Sequence, residues 1–428
     1  MGIYIHIPFC IRKCKYCDFL SFPADEAVRS NYVSALVKEV RQWESPGSRF
    51  GPGPSRPETG AVLERPGGSD HDVVSIFFGG GTPSIPAAEQ ISEILDAVRE
   101  RFSVSPDAEI TIECNPGTVD FYKLRQYRTM GINRLSIGLQ SAHDRELSLL
   151  GRIHDRAAFE ETFHAARQAG FANINVDLIS GLPGQGLDDW RATLAYVMDL
   201  PEAPEHVSAY SLIVEEGTPF YEMYHQAETA RAKGKDPGDQ LTHMLALPSE
   251  ETEREMYRKT DEILKSHGYE RYEISNYAKP GFESRHNLGY WERRPYIGFG
   301  LGAASFLNHM RWSNTRDLGK YLDAFGQGQG ELAGKSFCEA AGADIREDVH
   351  LLTKAEEMEE TFFLGLRMTR GIDRETFVRE YGLQVWAEMS PRIEELVREG
   401  LLAPDERRIR LTGRGMDLEG YVEGRLLT

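Results

Sequence analysis

Six short runs rich in branched residues recur through the first half of this 428-residue chain, each followed by a stretch with helical periodicity. That alternation constrains the fold more than any other feature. The runs are Ile3–Ile7, Val73–Phe78, Glu109–Glu113, Arg134–Gln140, Asn173–Leu178 and His206–Leu212, short enough and β-branched enough to be strands. After the first, Val33, Leu36, Val37 and Val40 fall at i, i+3, i+4 and i+7, and Ile91, Ile94, Leu95 and Val98 repeat that helix face after the second. Serial βα units pack as a parallel sheet joined by right-handed crossovers. The pattern predicts an α/β fold whose sheet is either curled toward a barrel or doubly wound, and periodicity does not choose between them. Residues 45–72 hold six glycines and five prolines with almost no apolar periodicity, which predicts a flexible surface insertion between the first helix and the second strand. A second polar stretch, Gln226–Glu250, reads as an excursion after the sixth strand.

The chemistry is concentrated in Cys10, Cys14 and Cys17, spaced C-x3-C-x2-C directly after the first strand. Loops of that length let each thiolate reach a different iron of one compact [4Fe-4S] cluster, leaving one iron without a protein ligand and open to a small molecule. A structural zinc site wants a second cysteine knuckle, which the isolated Cys114 and Cys338 do not supply. Five cysteines, an odd number, without a signal peptide point to a reducing cytosol rather than to disulfides. Inert burial fits poorly beside Arg12, Lys13 and Lys15. A net charge of −18 argues against nonspecific nucleic-acid binding, and no run approaches the roughly 18 apolar residues of a membrane helix.

Polar residues at strand ends are where a parallel α/β sheet places its chemistry. Gly79-Gly-Gly-Thr-Pro83 follows the second strand, as a ligand-approaching turn or as a plain βα turn. Glu113 ends the third strand and Gln140 the fourth, with Arg152 twelve residues on, and Asp177 sits among branched residues of the fifth, where an unpaired charge is costly. Far downstream lies His286-Asn-Leu-Gly-Tyr-Trp291. Its histidine suits either axial ligation of heme iron or ordinary packing, and its aromatics suit a porphyrin plane or a core. Arg285, Arg293 and Arg294 flank it and suit heme propionates. Tyr296–Ser305 reads as a glycine-spaced strand, Met358–Met368 and Arg374–Tyr381 as helices, and Arg408–Gly413 as a strand leading into a last helix.

C-x3-C-x2-C with Tyr16 before the last cysteine resembles the signature of radical SAM proteins, in which S-adenosylmethionine (SAM) chelates the open iron. The preceding Tyr4-Ile-His-Ile-Pro-Phe9 resembles the group related to oxygen-independent coproporphyrinogen III oxidase, and His286-Asn-x-x-Tyr290-Trp291 with Cys17-Asp-Phe19 resembles its HemW, or heme chaperone, branch. The resemblance implies a partial (β/α)6 barrel over residues 1–305, a connecting segment at 306–345, and a smaller, mainly helical, winged-helix-like domain at 346–428. It implies SAM contacts at Tyr4, Tyr16, Gly80, Gly81, Thr82, Glu113, Gln140, Arg152 and Asp177, and heme contacts at His286, Asn287, Tyr290 and Trp291. The implied function is a heme chaperone that binds a [4Fe-4S] cluster, SAM and heme and passes heme to apo-hemoproteins, with no catalytic residue assigned. An electron donor such as flavodoxin or ferredoxin is implied if SAM is cleaved. The implied place is the cytoplasm, at the membrane periphery during heme delivery. Oxidative decarboxylation of coproporphyrinogen III is the alternative. Against it, Phe19 stands where the oxidase has a further cysteine, and the motif begins close to Met1, without the oxidase's N-terminal extension.

Overall fold

β1 (Gly2–Ile7) sends Ile3, Ile5 and Ile7 to one side, all fully buried, and Gly2, Tyr4 and His6 to the other. Helix Glu26–Gln42 joins the apolar layer through Val33, Leu36, Val37 and Val40, and helix Ala88–Arg101 through Ile91, Ile94, Leu95 and Val98, as the 3.6-residue period predicts. Asp25 starts the first of these helices by accepting the Val28 N–H at 2.9 Å, and Glu26 complements the dipole of its first turn. Each buried isoleucine or leucine of this layer contributes roughly 1.5–3 kcal/mol, so the core between sheet and helices dominates the fold's stability. These features belong to a computed structural model that describes residues 1–44, 72–232, 246–326 and 345–427. The predicted insertion, apart from Asp72, and residues 233–245 of the predicted excursion lie outside the described residues.

β2 (Val73–Gly80), β3 (Val104–Cys114), β4 (Arg134–Gln140), β5 (Ile174–Ser180) and β6 (His206–Ser211) pair in sequence order with β1, all parallel. All six strands read from the sequence are present. β7 (Glu270–Arg271) and β8 (Asn276–Ala278) extend the sheet beyond β6 with antiparallel pairing. On the other edge β9 (Tyr296–Phe299) runs parallel to β1, followed by antiparallel β10 (Ala304–Leu307), β11 (Met310–Asn314) and β12 (Arg346–Leu351). The result is a partial (β/α)6 barrel within a mixed sheet whose order is β12-β11-β10-β9-β1-β2-β3-β4-β5-β6-β8-β7, with no closure among the described residues.

Tyr296–Ser305 is not one strand. Gly300 at φ +97 and Gly302 at φ +66 turn the chain between β9 and β10, and a Cβ on Gly300 would meet the Tyr32 hydroxyl and the His6 carbonyl. Residues 306–326, within the stretch read as a connector, supply β11 and helix Leu318–Phe325.

The C-terminal part has its own core around Phe362, Leu366, Phe377, Trp386, Ile393 and Leu396. Helices Lys354–Arg367, Arg374–Tyr381, Leu383–Arg398 and Glu419–Leu427 surround β13 (Ile372–Asp373), β14 (Leu402–Pro404) and β15 (Arg408–Leu411), ordered β13-β15-β14 and antiparallel. A C-terminal, mainly helical unit with a small sheet is what the sequence implied, but Arg346–Leu351, counted within it, pairs with β11 in the main sheet instead. Thr353 and Glu356 close a capping box at the unit's first helix.

Candidate cofactor site

β1 ends at Ile7, and the residues after it are stitched down at both ends. Phe9 is fully buried, edge-on to Phe22 and Tyr32, while Cys10 N–H donates to the Phe22 carbonyl at 3.1 Å and Phe22 N–H to Pro8 at 2.9 Å. Across the strand ends, Lys15 N–H donates to Leu150, and the Arg12 guanidinium donates to the carbonyls of Gly151 (2.8 Å) and Arg152 (3.1 Å). The loop thus holds Cys10, Cys14 and Cys17, half-buried and as free thiols, at the rim of a cavity of about 440 Å³ over the carboxyl ends of the parallel strands. Burial pushes the Cys17 thiol upward, with Cys14 and Cys10 adding to it and Lys13 opposing.

The donor set fits a multi-iron cluster. All three sulfurs face one cavity, yet among the described residues no three His, Cys, Asp or Glu side chains gather closely enough for a single metal ion. Cations of the loop and Arg152 lie near the thiols and favour an anionic cluster.

The glycine turn after β2 packs under this loop. A Cβ on Gly81 would lie 2.7 Å from the Phe9 carbonyl and 3.0 Å from Cys10 Sγ, and one on Gly80, at φ +124, would strike the His6 ring. The absent side chains therefore make room for Tyr4 and His6 of β1 and, at Gly81, for the cysteine loop, while Gly80 and Gly81 still line the cavity. Thr82, buried, donates toward Cys10 Sγ at 3.7 Å.

The strand ends supply the walls. Glu113 accepts the Gly80 N–H at 3.2 Å, and its carboxyl is pushed up to about 8 by burial and then by Asp177, against the pull of Gly80 and Arg134. Asp177 accepts from Ser136 at 3.0 Å and Asn175 at 2.8 Å, and is raised by burial despite both. Gln140 sits at φ 70, beside a register shift in β4, a left-handed backbone that re-aims its side chain at the strand end. Arg152 donates to Asn115 Oδ1 at 2.5 Å, to the Gly138 carbonyl at 3.1 Å and toward Cys14 Sγ at 3.9 Å. Its Nε is buried with no partner among the described residues, a donor left for a bound carboxylate. Tyr16 also lines the cavity, beside Arg152, with its hydroxyl pushed upward by burial.

Asn115 is the residue the sequence pattern did not single out. Its Nδ2 donates to Thr82 Oγ1 at 2.7 Å while its Oδ1 receives Arg152, so one side chain ties the arginine to the turn beneath Cys10. It stands in the Glu113-Cys-Asn-Pro116 run, the one local signal that pointed to it.

Eight of the nine positions matched to SAM contacts therefore line one cavity with the three cysteines. Tyr4 does not. It is half-buried on the inner face of β1, sharing a hydrogen bond with His6 Nδ1 at 3.0 Å. Nor do the four heme candidates. Helix Arg285–Trp291 puts His286 beside Gly2 and Ser75, at the amino ends of β1 and β2 and so at the opposite end of the barrel. Its Nδ1 meets Ser75 Oγ and its Nε2 the Tyr290 hydroxyl, each at 3.0 Å, and burial followed by Arg134 lowers it to about 3. Asn287 lies in the first turn of that helix, its N–H donating to Ser284 Oγ at 3.3 Å. Trp291 lies under the Arg367 guanidinium of the C-terminal unit at 4.7 Å, its Nε1 buried with no partner among the described residues. Arg293 is engaged by Glu360 at 3.0 Å and Tyr381 at 2.9 Å, and Arg285 by the Asp107 carbonyl at 2.7 Å.

Residues 56–197 match the Radical SAM superfamily and residues 352–418 the HemN C-terminal domain. A heme chaperone HemW of Bacillus subtilis is 34% identical over 99% of this chain and 98% of its own length. The chain belongs to the HemW family of radical SAM proteins. The heme chaperone HemW of Escherichia coli is also 34% identical, over 71% of this chain and 69% of that protein. The solved coproporphyrinogen III oxidase (HemN) of Escherichia coli, a radical SAM enzyme, superposes with a TM-score of 0.73 at 23% identity, covering 100% of this chain and 90% of that one. That likeness shows that this HemW-family chain shares the HemN fold.

Proposed function

We propose that the protein is a heme chaperone that holds a [4Fe-4S] cluster on Cys10, Cys14 and Cys17, binds SAM in the adjoining cavity, and passes heme to apo-hemoproteins. The observation that carries the cofactor half is the convergence of three thiols with Glu113, Gln140, Arg152 and Asp177 on one cavity. When bound, the cluster and SAM supply one-electron chemistry that a protein side chain cannot. The chain's own residues bind and orient. Arg152, fixed by Asn115 and Gly138, offers its unused donor to the SAM carboxylate, and Glu113 and Asp177 offer acceptors to amino and hydroxyl groups.

The heme half rests on the family and on the motif His286–Trp291. With both ring nitrogens hydrogen-bonded, His286 must give up Ser75 or Tyr290 before it ligates iron, at a cost of about 1–3 kcal/mol for the group left unpaired. Tyr290, Asn287 and Trp291 then flank the opened site. Clients are apo-hemoproteins, and reduction of the cluster calls for a flavodoxin- or ferredoxin-like donor. Among the described residues no helix is long and apolar enough to cross a membrane. In this reading the protein works in the cytoplasm and meets the membrane only at its periphery, during heme delivery.

The test is a heme titration of anaerobically reconstituted protein followed by mixing with an apo-cytochrome. Stoichiometric binding with a shifted Soret band, weakened in His286→Ala, and transfer of heme to the apo-cytochrome are expected. Production of protoporphyrinogen IX from coproporphyrinogen III, with no heme transfer, would overturn the chaperone reading.

A further inference from the structure

Arg134 opens β4, and strand alternation turns it to the same inner face as Ser136 and Gly138. In the register it stands opposite Thr111 of β3, one inward position below the Glu113–Ser136 pair, and Gly138 pairs with Asp177 of β5. Arg134 thus lies under the cofactor cavity, one inward position below Glu113 and two below Asp177. It is 2% exposed. Among the described residues it forms no ion pair, and both its Nε and the facing Thr111 Oγ1 are buried without a hydrogen-bond partner. A buried cation left this way needs opposite charge close by.

The titratable groups that face it are Glu109 and Glu113 on β3, Asp177 on β5, His206 on β6, Tyr272 after β7, and His286. Glu109 is engaged by the His286 N–H at 3.3 Å and Ser284 at 3.5 Å. Glu113 and Asp177 remain, and burial raises both while Arg134 opposes the rise. The same guanidinium helps hold His206 and His286 unprotonated. No other cation opposes the rise of both cavity carboxylates among the directions resolved for them.

We propose that Arg134 is a positioning residue for the cofactor cavity: the buried counter-charge beneath Glu113 and Asp177, which favours the anionic form of each when SAM binds. It touches neither ligand and acts only through those two side chains. The inference rests on the SAM reading given above.

The test measures SAM affinity between pH 6 and 9 on full-length, anaerobically reconstituted protein, for wild type, Arg134→Gln and Arg134→Lys, with iron and sulfide content determined in parallel. Arg134→Gln should bind SAM about tenfold more weakly at pH 7 and move the midpoint of the pH profile up by about one unit, because the carboxylates lose their counter-charge. Arg134→Lys should keep the wild-type midpoint, and iron and sulfide content should not change in either variant. An unmoved midpoint in Arg134→Gln overturns the proposal, and so does a lysine variant shifted as far as the glutamine one. Should Arg134→Gln fail to fold, the double variant Arg134→Gln/Glu113→Gln must fold better at pH 9, where Glu113 would otherwise be a buried charge without its counter-ion. A double variant no better than the single also overturns it. Wild-type protein that takes up iron and sulfide but binds no SAM is a different failure, that of the cofactor reading itself.

Discussion

Replacing Glu113 by glutamine should make the cofactor-free protein more stable in alkaline solution while weakening SAM binding. The carboxyl is pushed up to about 8 from an ordinary 4.5, chiefly by burial. An acid raised in the folded state keeps its proton where the unfolded chain has lost it. Its stability penalty is therefore absent below pH 4.5, grows as pH rises, and is complete above about 8. At 1.36 kcal/mol per pH unit the gap sets a ceiling of ~5 kcal/mol. The half-buried position of Glu113, and the freedom of Arg134 and Gly80 to adjust, reduce the expected penalty to roughly 2 kcal/mol. Glutamine resembles the protonated acid and still accepts the Gly80 N–H, so Glu113→Gln should match wild type at pH 5 and exceed it by roughly 2 kcal/mol at pH 8.5. Urea unfolding of the cofactor-free proteins at both pH values measures the difference, and SAM affinity of the reconstituted proteins measures the loss of function. Equal stability of the two proteins at pH 8.5 would refute the reasoning, as would a glutamine variant that loses stability at pH 5.

Three further outcomes follow from the same geometry. Asn115→Ala releases Arg152 from Thr82, and should weaken SAM binding about tenfold with iron content intact, measured by equilibrium dialysis. Gly81→Ala places a methyl 2.7 Å from the Phe9 carbonyl and 3.0 Å from Cys10 Sγ, and should lower both iron and sulfide uptake and the melting temperature of the cofactor-free protein by displacing the cysteine loop and the buried Phe9 backbone. Ser75→Ala removes the Nδ1 partner of His286, and should reduce heme affinity by about 10-fold in a Soret titration if the histidine ligates iron.

The backbone of the fold was legible because it depends on periodicity. Ile3, Ile5 and Ile7 alternate, the two helix faces repeat at 3.6 residues, and all of those residues are buried. The cavity was legible for a similar reason: a parallel sheet gathers its strand ends, so Glu113, Gln140 and Asp177 had to meet the loop that follows β1. What could not be read is direction and pairing. Nothing local shows that Arg152 turns back over Gly138 to Asn115, or that the three glycines chiefly accommodate Tyr4, His6 and Cys10 rather than a ligand. Two left-handed glycines broke an apolar run that looked like one strand. The motif around His286 gave no hint that its helix would bury the histidine at the far end of the barrel, since that follows from contacts with Gly2 and Ser75 more than two hundred residues earlier in the chain.

The central claim is that these three cysteines carry a cluster whose open iron receives SAM. Electron paramagnetic resonance of the reduced, reconstituted protein, titrated with SAM, tests it most directly. A [4Fe-4S] signal lost in Cys10→Ala, Cys14→Ala and Cys17→Ala, and altered by SAM in wild type but far less in Arg152→Met, is the predicted result. A protein that assembles no cluster, or a cluster signal indifferent to SAM at saturating concentration, would contradict it.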